Sequence, residues 1–161
     1  MPTITAYHGT PYTFEHFRVP SSGLHFGDYE QAVHACTLKM ARLPPKQFAA
    51  LEPDEDGWRG RVLTVRLHLN NVKRVEDART PSNWSRVIKK AKEEGFDGLV
   101  YLNVYEGGKS SDSFVVFNAD QIEVIPAEKL IAERLKARIE QTRAPSLTSS
   151  PPHSGEDSYR H

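Results

Sequence analysis

Three short stretches of this 161-residue chain hold the residues that could do chemistry. The first is Tyr7-His8-Gly9-Thr10, closing the apolar start Ile4-Thr5-Ala6. A histidine followed by glycine at the end of a strand lets an imidazole and bare backbone approach one ligand together. The second is Ser22-Gly23-Leu24-His25-Phe26-Gly27-Asp28, which adds another histidine. The third, Asp112-Ser113-Phe114-Val115-Val116-Phe117, sets a carboxylate beside a hydroxyl. Read as a metal site, His8, His25 and Asp112 match no recognised ligand spacing. Other reactive side chains have plainer readings. His34 lies on a helix and faces solvent, Cys36 is a small core residue, Trp84 is core, and His68 alternates outward on its strand.

The elements that must position these stretches are short. Residues 3–8 read as a strand ended by Gly9-Thr10-Pro11, and Leu24-His25-Phe26 as a second one closed by Gly27. Asp28 is placed to cap a helix, with Gln31 in the capping-box position. Tyr29, Ala32, Val33, Cys36, Met40 and Leu43 then mark one helical face, and Pro44-Pro45 ends it. Residues 46–59 are acidic and read as an exposed loop. Leu63, Val65, Leu67 and Leu69 alternate with polar residues, the pattern of a strand with one buried face. Asn70-Asn71 turns, and Val72 to Val75 continues the strand. Ser82 is placed to cap a second helix with Trp84, Val87, Ile88 and Ala91 inward and Gly95 at its end. Leu99 to Leu102, Phe114 to Phe117, and Ile122 with Val124 supply further strands, the middle one apolar enough to be covered on both faces. Residues 127–143 read as a charged helix and 144–161 as a disordered Pro/Ser-rich tail. The class is α+β.

Composition narrows the function. Lys+Arg and Asp+Glu both count 21, so nothing in the net charge drives non-specific nucleic-acid binding. A single cysteine excludes an intramolecular disulfide and a cysteine-based zinc cluster. No apolar run reaches the length of a membrane span. With no basic segment and apolar h-region at the N-terminus, the expected setting is cytoplasmic, and an effector exported without a standard signal is compatible with it.

Taken together, the stretches resemble the ADP-ribosyltransferase superfamily, on the branch of diphtheria toxin and the poly(ADP-ribose) polymerases, and most nearly its small bacterial and phage-borne members. Tyr7-His8-Gly9-Thr10 is similar to the first motif, an apolar or aromatic residue followed by His-Gly-Ser/Thr. Gly23-Leu24-His25-Phe26-Gly27-Asp28 is similar to the second, Gly-Ile-Tyr-Phe-Ala-Asp, with its alanine-bearing helix following. Asp97-Gly98-Leu99-Val100-Tyr101 resembles Asp-Gly-Ile-Val-Tyr. Ser113 to Ile122 resembles the third motif, Glu-Tyr-Ile-Val-Tyr-Asp-x-x-Gln-Val. The likeness spans residues 5–125.

The resemblance implies a split pair of small antiparallel sheets forming a cleft for NAD, the co-substrate, within a domain of residues 1–143. By the same resemblance, His8 hydrogen-bonds a ribose hydroxyl and the Gly9 backbone pairs with the nicotinamide amide, with Thr10, Gly23 and Phe26 at the cleft. His25 stands where a tyrosine stacks on nicotinamide, and Ser113 where the catalytic glutamate belongs. The chain therefore reads His-His-Ser against a family pattern of His-Tyr-Glu.

Cleaving nicotinamide from ribose passes through an oxocarbenium-like sugar, stabilised by nearby negative or hydrogen-bonding groups. A serine brings no charge, and losing one preorganised electrostatic partner costs on the order of 10²–10³ in rate. Asp112 is the first substitute carboxylate, aimed inward only if a bulge intervenes, and Glu106 the second. A stacked His25 must be neutral, since an imidazolium would oppose the cationic nicotinamide. The expected activity is mono-ADP-ribosyl transfer to a macromolecular acceptor, a protein foremost and nucleic acid not excluded. The competing expectations are an inactive NAD- or ADP-ribose-binding or protein-interaction module of the same fold, and an NAD glycohydrolase.

Overall fold

The alternation around Leu63 decides the first sheet. In the computed structural model, which describes residues 3–12, 16–105 and 109–143, Arg61–His68 is a strand (β3) between two antiparallel neighbours. One neighbour is β1 (Thr3–Thr10), in unbroken register from Thr3↔His68 to Thr10↔Arg61. The other is β7 (Ile122–Val124). Ala6, Val65 and Leu67 are buried, so this sheet turns its apolar side inward as the alternation requires. The even-numbered residues of β1 share that side. His8 lies opposite Leu63 and Thr10 opposite Arg61, so the row ends in polar residues.

The second sheet runs in the order β2 (Leu24–Phe26), β6 (Ser111–Val116), β5 (Gly98–Asn103), β4 (Val72–Arg74). β4 does not continue β3. The Asn70-Asn71 turn carries the chain into the other sheet, where the Asp97 carboxylate accepts both asparagine amides at 2.7 and 2.8 Å. β4 and β5 are parallel, which departs from an all-antiparallel expectation. Their crossover is the helix α3 (Pro81–Glu93), the connection that parallel neighbours need.

Two apolar clusters lie on opposite faces of this second sheet. Trp84, Ile88 and Ala91 of α3 pack on Leu99, Tyr101, Val115 and Phe117. On the other face Phe26 and Val116 meet Ala6, Val65 and Leu67 of the first sheet. Val115 and Val116 thus belong to different cores, as the continuous apolar run implied.

The sheets meet at an isolated bridge. Tyr7 and Gly27 exchange backbone hydrogen bonds of 2.9 and 3.1 Å. Directly after it, the helix α1 (Tyr29–Ala41) begins with both arms of the capping box formed between Asp28 and Gln31. α1 lies against β1 so closely that a Cβ on Gly9 would sit 1.8 Å from the Ala32 carbonyl oxygen. Glycine is required there for packing alone. Cys36 is buried, and burial pushes its thiol up, away from nucleophilic use. Tyr29, expected inward, is mostly exposed and lends one ring edge to Tyr7, while His34, expected outward, is half-buried.

Two local expectations change. Pro44-Pro45 ends α1 but also starts a short helix, α2 (Pro45–Ala49), because proline is favoured in a first helical turn. For the same reason α3 starts at Pro81, and Thr80 rather than Ser82 is its cap, accepting from the Asn83 amide at 3.2 Å. The chain divides into two compact units, Met1–Ile125 and Pro126–His161. The described part of the second is the helix α4 (Ala127–Arg143). Glu106 and the proposed tail, residues 144–161, lie outside the described residues. Among the described residues no helix is long and apolar enough to cross a membrane.

Candidate functional site

The bridge between Tyr7 and Gly27 opens onto a cavity of about 220 Å³. Its walls are Tyr7, His8 and Gly9 of β1, residues 23–27, the Gln31–Lys39 side of α1, and Ser113 of β6. The fold therefore brings His8, Gly9, Gly23, His25, Phe26 and Ser113 together from stretches far apart in sequence. Gly23 adopts φ +79°, a left-handed conformation that favours glycine, and a Cβ there would meet Val115 at 2.3 Å. Thr10 is buried but does not line this cavity, and its hydroxyl oxygen accepts the Tyr12 amide at 3.1 Å.

His8 is almost wholly buried, between Phe17 and Phe26. Its Nδ1 lies 3.2 Å from the His25 carbonyl oxygen, which can only accept, so Nδ1 carries the proton. Burial, aided by the nearby Lys39 charge, pushes the His8 pKa down to about 4. The ring is neutral at pH 7, and Nε2 keeps a lone pair to receive a hydroxyl. Beside it, the alternation of a strand directs the Gly9 amide and carbonyl to the same edge as those of Tyr7. That carbonyl is held by the Lys39 ammonium at 2.7 Å.

His25 is also pushed down by burial and is neutral. Its Nε2–H donates to the Ser22 carbonyl at 3.2 Å, so Nδ1 accepts from the Tyr101 hydroxyl at 2.9 Å. Trp84 and Tyr101 meet its ring edge-to-face, at 4.9 and 5.7 Å between centroids. Trp84 is core, as its helical position indicated, but it also orients this histidine. The ring forms the wall between the first cavity and a second of about 500 Å³, lined by Asp77, Arg79, Trp84, Tyr101, Asn103 and Tyr105. Within the second cavity Arg79 adopts φ +69°, rare for a non-glycine residue, with its amide donating to the Asp77 carboxylate at 2.8 Å and its guanidinium over the Tyr105 ring.

Ser113 is buried and fully engaged. Its hydroxyl donates to Gln31 Oε1 at 3.0 Å and accepts from Asn103 Nδ2 at 3.2 Å. Gln31 in turn accepts the Asp28 amide at 3.0 Å and donates to the Ser111 carbonyl at 3.2 Å. The position that the resemblance gives to a glutamate is thus a neutral network of hydroxyl and carboxamide groups.

Asp112 does not join it. The pairing of β5 with β6 is continuous from Gly98↔Val116 to Asn103↔Ser111, so no bulge turns Asp112 inward. It lies on the opposite face and pairs with Arg74 in a two-pronged bridge of 3.0 and 2.7 Å, which holds its carboxyl below the usual range. The expected carboxylate is therefore out of reach of the cleft. His68 faces outward and meets Glu123. Among the described residues, no group of three or more His, Cys, Asp and Glu side chains is arranged to hold a metal ion.

Sequence reasoning missed Gln31, Lys39, Asp77, Arg79 and Asn103. Tyr101 and Asn103 carried a signal, because they fall two apart on a strand whose partner holds Ser113. Gln31 was disguised by its capping role. Gln121 has a structural duty: its side-chain oxygen accepts the Phe117 and Asn118 amides and its nitrogen donates to the Asp97 carbonyl. No protein-family model, curated protein or solved structure matches this chain.

Proposed function

We propose that the cleft binds NAD and transfers ADP-ribose to a macromolecular acceptor, the domain being a small ADP-ribosyltransferase-like fold with split sheets. The observation that carries this reading is His8: neutral, its proton fixed on Nδ1 by the His25 carbonyl, its Nε2 ready to accept a ribose hydroxyl, with the Gly9 amide beside it on the strand edge and the Gly9 carbonyl held by Lys39. A cavity of about 220 Å³ takes a nicotinamide ring and part of its sugar rather than a whole dinucleotide, whose remainder extends along β1. His25 walls this space as a neutral aromatic ring, the form that tolerates a cationic nicotinamide. The acceptor approaches through the cavity beyond His25, where Asp77 supplies a carboxylate that Ser113 lacks.

A second reading, an NAD- or ADP-ribose-binding module without transfer activity, is favoured by one observation. Ser113 spends its hydroxyl on Gln31 and Asn103, so no charge faces the sugar from that side. Adenine-labelled NAD with a cell lysate separates the two. Label on a macromolecule, reduced severalfold in His8→Asn at subsaturating NAD, is the expected result for the transferase. Nicotinamide release without such label points to a glycohydrolase. Binding of NAD with neither outcome establishes the module, and absence of NAD binding removes both readings.

A further inference from the structure

The polar end of the first sheet contains a donor with no acceptor. Arg61 faces Thr10 across the β1–β3 ladder, on the same inward side as His8. Its Nε is shielded from solvent and has no hydrogen-bond partner, and among the described residues the guanidinium makes no ion pair. A buried donor left unmade is costly, and one on a permanent cation more so, which makes it a mark of a missing anionic partner. The side chain borders a cavity of about 460 Å³ between the end of β1 and α2, with Tyr12, Gln47, Leu51 and Glu52 on its walls. Thr10 Oγ1 accepts the Tyr12 amide, so its own proton is free to donate.

We propose that Arg61, with the Thr10 hydroxyl beside it, binds a phosphoryl group. The guanidinium is suited to this task, because its fixed fork of N–H donors matches phosphate oxygens and its charge does not titrate away. Where the NAD reading above holds, on which this part rests, the group is the dinucleotide pyrophosphate. His8 would hold a sugar hydroxyl, and two residues further along the same face Thr10 and Arg61 would receive the phosphates. Glu52 shares the cavity without pairing to Arg61 among the described residues, and its carboxylate opposes an incoming anion. It opposes tight binding of any anion there.

Calorimetric titration of the full chain with NAD, inorganic pyrophosphate and nicotinamide riboside tests this. Arg61→Gln is expected to weaken NAD and pyrophosphate about 30-fold, the loss of charge-assisted hydrogen bonds, and to leave nicotinamide riboside unchanged. Arg61→Lys keeps the charge without the Nε donor, and about a tenfold loss is expected; it serves if the glutamine variant does not fold. Glu52→Gln should strengthen pyrophosphate binding severalfold. NAD bound equally by wild type and folded Arg61 variants overturns the proposal. Pyrophosphate binding that depends on Arg61, in a protein that does not bind NAD, upholds the phosphoryl site and removes the NAD reading. Simultaneous binding of NAD and pyrophosphate overturns the assignment to the dinucleotide and leaves a site for free phosphate.

Discussion

The two ends of the cleft handle burial in opposite ways. At the Ser113 end each polar side chain answers another: Asn103 to Ser113, Ser113 to Gln31, Gln31 to Asp28 and Ser111. At the β1 end the buried His8 and the shielded Nε of the half-buried Arg61 keep bonding capacity left over, one as an acceptor and one as a donor. Burial without a partner costs free energy, so a fold keeps it where something else completes the bond. The difference leaves unmet bonding capacity at the end of β1 and a closed hydrogen-bond network on β6. Gln31 reaches the Ser113 hydroxyl from α1 and closes that network.

The largest effect that would break this contrast is on stability against pH. Unfolded, His8 titrates near 6.5, and in the fold it titrates near 4. Between these values the unfolded chain holds the extra proton, so stability rises with pH across the window and falls as pH drops from about 6.5 to about 4. His8 alone contributes about 3 kcal/mol of that loss. His25, pushed in the same direction, steepens it. Urea unfolding at a series of pH values should show the slope, partly flattened in His8→Asn. A flat profile in the wild type would mean that β1 holds no strained neutral imidazole.

Next in size is Ser113→Ala. It removes two buried hydrogen bonds, the one Ser113 accepts from Asn103 and the one it donates to Gln31, and should destabilise by about 2 kcal/mol. NAD affinity should change less than twofold, because the serine has no bond left to give. A larger change in affinity than in stability would return ligand recognition to β6. The reverse pattern is expected of His8→Asn at pH 7. Its amide can replace the Nδ1 donor but not the Nε2 acceptor, so stability should hold while NAD binding weakens about fivefold, one hydrogen bond's worth. The smallest effect is that of Asp112→Asn, expected to leave NAD binding and transfer unchanged, since Arg74 holds that carboxylate on the far face. Loss of transfer in this variant would restore Asp112 to the site.

How much of this the sequence disclosed follows from the range over which each signal acts. The alternation of β3, the inward face of α3 and the Asp28–Gln31 cap are set by residues a few positions apart, and they read correctly. His8, His25 and Ser113 do line one cavity, a juxtaposition that the sequence suggested only through a resemblance of motifs. Asp112 was legible in principle, because neighbours on a strand face opposite ways unless a bulge intervenes. The passage of β4 into the other sheet was not, since Val72 to Arg74 looks alike in either. Gln31 meeting Ser113 and Lys39 meeting the Gly9 carbonyl are juxtapositions of distant segments that leave no periodic trace, and neither does the shielded, unbonded Nε of Arg61.

The Tyr7–Gly27 bridge has a dynamic consequence. It is an isolated pair at the seam of two sheets, flanked by the long β1–β3 ladder on one side and the short strand β2 on the other. Local opening costs least where the fewest bonds break together. The seam is therefore the molecule's natural parting line, and the amide protons of Tyr7 and Gly27 should exchange with solvent deuterium sooner than those within the ladder. A ligand lodged against His8 and Gly9 would clamp that line shut, so slower exchange at two backbone amides would register occupancy with no chemistry required.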